Sequence, residues 1–168
     1  MRFASLIAAS AFFFATAASA QSSLLAPIAF SPEFQTELED EYGVREGEVL
    51  REAVARAVND AIARRAVAPG VSITVEVTIV DADPNRPTFA QLQERPQLDA
   101  IRSISLGGAE LRAVLRGPDG AVLGEVSHRR YDHDLFDIGS AATTWTTARR
   151  SISQFANKVA DAYVAAAS

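Results

Sequence analysis

The stretch Val71-Ser72-Ile73-Thr74-Val75-Glu76-Val77-Thr78-Ile79-Val80-Asp81 decides the fold. Val71, Ile73, Val75, Val77 and Ile79 share one parity, and Ser72, Thr74, Glu76 and Thr78 the other. Strict alternation over this length marks a strand with one face on a core and the other in water. A half-buried strand needs neighbours in its sheet and helices over its apolar side, so the flanking segments supply the rest of the reading.

Upstream, Glu46 to Ala66 carries Leu50, Val54, Val58, Ala61 and Ile62 on one helical stripe, with Arg51, Glu52, Arg56, Asn59, Asp60 and Arg64 opposite. Pro69-Gly70 stops that helix. Further upstream, Leu24 to Phe30 fits a short strand. Pro27 and Pro32 restrict it to the edge of the sheet, because proline cannot donate to a ladder.

Downstream, Ser103 to Arg116 and Ala121 to Arg130 form an antiparallel hairpin around Gly117-Pro118-Asp119-Gly120. Pro118 presets its backbone angle, and Gly120 can take the left-handed position that closes the turn. Parity switches at Gly107-Gly108, which predicts a bulge or break in the first strand. The last helix runs from Ser140, a suitable N-cap, to Ala166, with Trp145, Ile152, Phe155, Val159 and Tyr163 on one stripe. Edge strand, helix, central strand, hairpin and helix together predict an α+β two-layer sandwich. Its antiparallel sheet of three to four strands is packed by two amphipathic helices.

Between the central strand and the hairpin lies Ala82 to Ser103, long for a connection in a compact domain. It holds Pro84, Pro87, Pro96, the capping box Thr88-Phe89-Ala90-Gln91, and apolar Phe89, Leu92, Leu98 and Ile101. A plain linker would be Gly/Ser-rich. The composition predicts an ordered loop that presents Asn85, Arg86 and Thr88 for binding. Turn chemistry alone is the competing reading, since Asp, Asn and Pro also make local backbone structure.

The first residues set an expected compartment. Met1–Ala20 reads MRFASLIAASAFFFATAASA: a basic start, a charge-free run from Phe3 to Ala18, and a small-x-small site at Ala18-Ser19-Ala20. The expectation is a signal peptide over 1–20, cleaved after Ala20, and a single domain over 21–168 in the periplasm. With no cysteine in the chain, disulfides, a lipidated Cys, thiolate metal sites and a thiol nucleophile are excluded. A net charge of −5 argues against nucleic acid and against adsorption to anionic lipid. No other apolar run reaches the roughly 20 residues of a membrane span.

The richest polar stretch is His128-Arg129-Arg130-Tyr131-Asp132-His133-Asp134-Leu135-Phe136-Asp137. His128, Asp132 and Asp134 share a parity and form an alternative metal-ligand set, for a small periplasmic hydrolase or metal-dependent enzyme. His133 points to the other face, and Arg130 within the set opposes a cation. The bland reading is a charged strand end entering a solvated loop. Gly107-Gly108 lacks the rest of a phosphate loop, no serine sits in a G-x-S-x-G elbow, and Trp145 reads as a core or interface anchor. No cofactor motif is present, and no residue assigns an oligomeric state.

The chain resembles a family of uncharacterised proteobacterial periplasmic and envelope proteins. The stretches that carry this likeness are Pro84-Asn85-Arg86-Pro87-Thr88, Ser105-Leu106-Gly107-Gly108-Ala109, the Arg116–Gly120 turn, and Thr144-Trp145-Thr146-Thr147-Ala148 leading to Phe155-Ala156. It is similar in pattern to envelope transport-auxiliary and outer-membrane-assembly lipoproteins, but lacks their lipobox cysteine. The resemblance implies a non-catalytic binding or accessory protein of the cell envelope, without a lipid anchor, whose partner is an envelope protein or a small ligand. No catalytic residue comes with it.

Overall fold

The computed structural model describes residues 25–65, 72–138 and 142–168. Its elements in chain order are β1 (Ala29–Phe30), α1 (Pro32–Glu37), a π-helical turn (Leu38–Tyr42), α2 (Val44–Arg64), β2 (Thr74–Asp83), α3 (Phe89–Glu94), β3 (Gly108–Arg116), β4 (Val122–Tyr131), a 3-10 turn (Leu135–Asp137) and α4 (Thr146–Ala167). The strands form one open sheet in the order β1-β2-β3-β4. With α2 and α4 over one face, this is the two-layer α+β sandwich that the alternation implies.

The expected register holds. Ile73, Val75, Val77 and Ile79 are buried, while Ser72, Thr74 and Glu76 are exposed; Val71 lies outside the described residues. Opposite them on β3, Leu115, Ala113 and Leu111 face Val75, Val77 and Ile79 across the ladder and are buried too. The helical stripes meet this apolar sheet: Leu50, Val54, Val58 and Ala61 from α2, and Ile152, Phe155, Val159 and Tyr163 from α4. The hairpin turn closes as expected, with Gly120 at φ 81° and Gly117 N donating to Ala121 O at 2.9 Å.

Four local expectations need correction. First, β1 joins the edge in parallel to β2, Ala29 opposite Thr78, so only β2, β3 and β4 are antiparallel. A parallel partner needs a crossover, and α1, the π turn and α2 provide it. Second, β3 starts at Gly108, not Ser103. Ser105 N donates to Asn85 O at 3.0 Å and Ser105 Oγ to Pro84 O at 2.6 Å, which ties this segment to the loop after β2.

Third, the ladder irregularities fall between Ile79 and Asp81 and between Leu115 and Arg116 rather than as a bulge at Gly107-Gly108, where the other expected outcome, a break, holds because β3 starts at Gly108. Those glycines answer a crowding problem instead. A Cβ on Gly107 would sit 2.5 Å from the Asn85 side chain, and one on Gly108 at 2.4 Å from the Tyr131 ring. Fourth, α4 starts at Thr146, and its Trp145 N-cap provides no side-chain cap; Ser140 lies outside the described residues.

The segment before α2 is more structured than its sequence suggests. Ser31 caps α1 by accepting from Phe34 N at 3.1 Å while its hydroxyl donates to Val80 O at 2.7 Å, which anchors the helix to β2. From there an aromatic column runs inward. Phe30 stands edge-on to Phe34, Phe34 packs at a tilt against Tyr42, and Tyr42 meets Trp145 edge-on at 6.0 Å. Trp145 Nε1 donates to Glu46 Oε2 at 2.6 Å, which satisfies the one polar group the indole buries.

Candidate functional site

The loop after β2 is ordered, and its polar side chains turn inward. Asn85, Arg86 and Thr88 are 0%, 9% and 1% exposed. Asn85 Oδ1 accepts from Thr147 N at 2.7 Å, in the first turn of α4, and its Nδ2 donates to Ser105 O at 3.3 Å. Asn85 therefore caps α4 from a distant part of the chain, satisfying an N–H that the helix leaves without an internal partner. Arg86 Nε donates to Ala142 O at 2.7 Å and its Nη1 to Ile101 O. Thr88 caps α3 and forms the expected reciprocal box with Gln91.

The second candidate set does not converge. Asp132 is buried and its carboxylate accepts from Thr147 Oγ1, while its N–H donates to Gly107 O at 2.9 Å. Asp134 accepts from Phe136 N at 2.9 Å and caps the 3-10 turn. His128 sits on β4 with Nδ1 3.1 Å from Lys158 Nζ, an arrangement in which the ring nitrogen accepts. Burial, and then the Lys158 charge, push its imidazole below the usual value. Among the described residues no three His, Cys, Asp or Glu side chains gather as metal ligands would.

Asn85, Asp132 and Thr147 thus form a buried polar hub. It joins the segment after β2, the residue before β3, the end of β4 and the start of α4. Buried polar groups cost free energy unless paired, and these pairs are complementary in donor and acceptor. The hub holds the Pro84–Leu106 region as one frame.

The outer side of that frame is a groove of about 370 Å³. Apolar Pro84, Pro87, Leu98, Ile104 and Leu106 line it together with Glu41, Tyr42, Asp83 and Arg95. The volume lies in the range of small-ligand sites. Glu41 and Tyr42 belong to the π-helical turn, a local widening that often accompanies binding sites. Gln91 Nε2 donates to Glu41 Oε1 at 3.0 Å, and Arg95 pairs with the same oxygen at 3.0 Å.

The carboxylates around Asp83 are crowded. Burial first, then the Asp81 charge, raises the Asp83 carboxyl above its ordinary value; burial, Asp81, Asp83 and Glu41 do the same to Glu37. Tyr42 donates to Asp83 Oδ1 at 3.2 Å, and Tyr131 donates to Asp81 Oδ2. Both phenols are pushed up, by burial first, and stay neutral donors. Of the carboxylates that line the groove, Asp83 is the one held above its ordinary value, while Glu41 is paired with Arg95, which lines the groove as well.

The expectation of a binding loop pointed to this region, but the groups that line the groove are not Asn85, Arg86 and Thr88. Asp83 belongs to the carboxylate pair, Asp81 and Asp83, that the sequence places at the end of the strand before this loop, whereas Glu41 and Tyr42 lie in the π turn, which shows no regular period. No described helix is long and apolar enough to cross a membrane. No family model, curated protein or solved structure matches the chain.

Proposed function

We propose that this chain is a non-catalytic binding or accessory protein of the cell envelope, exported by its Met1–Ala20 segment. Its groove takes a ligand with an apolar body and a cationic group. One observation carries the reading: a groove of about 370 Å³ lined by apolar Pro84, Pro87, Leu98, Ile104 and Leu106 together with Asp83, whose carboxyl is raised above its ordinary value by burial and the Asp81 charge. The apolar side removes hydrocarbon from water, and the acid side selects the sign of the head group. The resemblance to envelope proteins supports the compartment, as does the charge-free run before Ala18-Ser19-Ala20. The ligand is a small amphiphilic cation, or a basic segment of an envelope protein.

The test is a thermal-shift comparison of cationic and anionic amphiphiles with matched tails. Cationic members should raise Tm, and Asp83→Asn should reduce that rise. Equal shifts for both signs, or an unchanged response in Asp83→Asn, would remove the groove from the reading. Intact mass of the native protein checks export separately, with Gln21 as the expected first residue.

A further inference from the structure

The sheet ends on β4, which has β3 on one side and no strand on the other among the described residues. At 10 residues it is a long edge. Such an edge offers a row of unpaired backbone donors and acceptors, and charged side chains usually blunt it. The charges of β4 have an order that does the opposite. Glu125 and Arg129 are exposed on the sheet face away from the helices. Glu125 makes no salt bridge among the described residues. Arg129 keeps 70% of its side chain exposed beside Glu110.

In an antiparallel pair made by a two-fold axis, opposed residues are equidistant from the residue on the axis and share a face. An axis at Glu125 sets Glu125 against itself, and one at Arg129 sets Arg129 against itself, both repulsive. Axes at Val126 or His128 make no ion pair. An axis at Ser127 sets Glu125 against the partner's Arg129 twice and Leu123 against the partner's Tyr131. On the helix side of the strand it opposes Val126 to the partner's His128 and Gly124 to the partner's Arg130, with no like charges opposed.

We propose that β4 is a homodimer interface, pairing antiparallel with β4 of a second copy about Ser127. The two sheets become one sheet of eight strands, four from each copy. The occupant is a second copy because its own edge carries the matching order of charges. The pairing leaves the groove beside Tyr42 on a different part of the molecule, so it stands or fails independently of the ligand.

Because the chain has no cysteine, Ser127→Cys introduces a single thiol. Sedimentation equilibrium of the native protein should give twice the mass of one chain. Ser127→Cys should cross-link to a covalent dimer with a short bismaleimide, far faster than Ser153→Cys, an exposed control on α4. Glu125→Arg sets a second positive charge against the partner's Arg129 and should weaken self-association by about tenfold or more. Arg129→Glu should do likewise, and mixing the two variants should restore a heterodimer. A monomer at all concentrations overturns the proposal, as do equal cross-linking at positions 127 and 153 and unchanged self-association in Glu125→Arg. The cysteine arm decides the matter even if Arg129→Glu folds poorly.

Discussion

Two polar regions lie within a few residues of each other, at the end of β2 and just after it, and they are built on opposite terms. In the hub, Asn85, Thr147 and Asp132 match donors to acceptors in a buried place. On the groove wall, Asp83 and its acidic neighbours set like against like in a half-open place. The first arrangement lowers the free energy of the fold. The second raises it at neutral pH, even with Tyr42 donating to Asp83 and Arg95 paired with Glu41. The difference teaches a way to separate polarity that holds the fold from polarity that crowds a groove. Complementary pairs hold the frame, and crowded like charge marks the groove proposed above for a ligand.

The sharpest way to break this comparison is Asn85→Ala. It removes the remote cap of α4 and the donor to Ser105 O, and it opens space in a buried site. The expected cost is about 3 kcal/mol, read as a lower urea midpoint at unchanged m-value. A loss as small as that of an exposed loop residue would mean that the hub does not hold the frame.

Thr147→Val tests one link of the same hub. It keeps the side-chain volume but takes the hydroxyl from the Asp132 carboxylate. The expected loss is about 2 kcal/mol at neutral pH.

The smallest effect sharpens the other side. Raised carboxyl pKa values contribute stability below the ordinary values of 3.8 for Asp83 and 4.5 for Glu37. That contribution is lost as pH climbs through the raised values. Asp83→Asn removes one of these charges while keeping an acceptor for Tyr42. Its Tm should therefore exceed that of the native protein at pH 7 and match it at pH 3. A Tm below the native value at pH 7 would show that Asp83 is held by the fold rather than strained by it.

The layers of the molecule were legible because each depends on a local period. Alternation in Ile73–Ile79 and the stripes Leu50–Ala61 and Ile152–Tyr163 report burial directly. The turn at Gly120 and the box at Thr88 are equally local. The start of α4 was not legible at Ser140, because its cap arrives from Asn85, 62 residues away. Nor was the segment from Pro32 to Tyr42, because a six-residue helix passing into a π turn has no steady period. The candidate site was half visible for the same reasons. Asn85, Arg86 and Thr88 mark the right loop, but only the hub determines that they face in, and Glu41 and Tyr42 come from the unread turn.

The aromatic column has a consequence for how the protein can be observed. Trp145 is the only tryptophan in the chain, and it packs edge-on against Tyr42, which lines the groove. Its indole N–H is tied to Glu46 Oε2 in α2. The emission of this single fluorophore therefore reports from the junction of the π turn, α2 and α4, with no label added. An occupant that shifts Tyr42 alters the indole's surroundings, so its spectrum and quenching provide an optical titration of the groove. Opening of the frame at Asn85 exposes the same ring to water and moves the emission to the red.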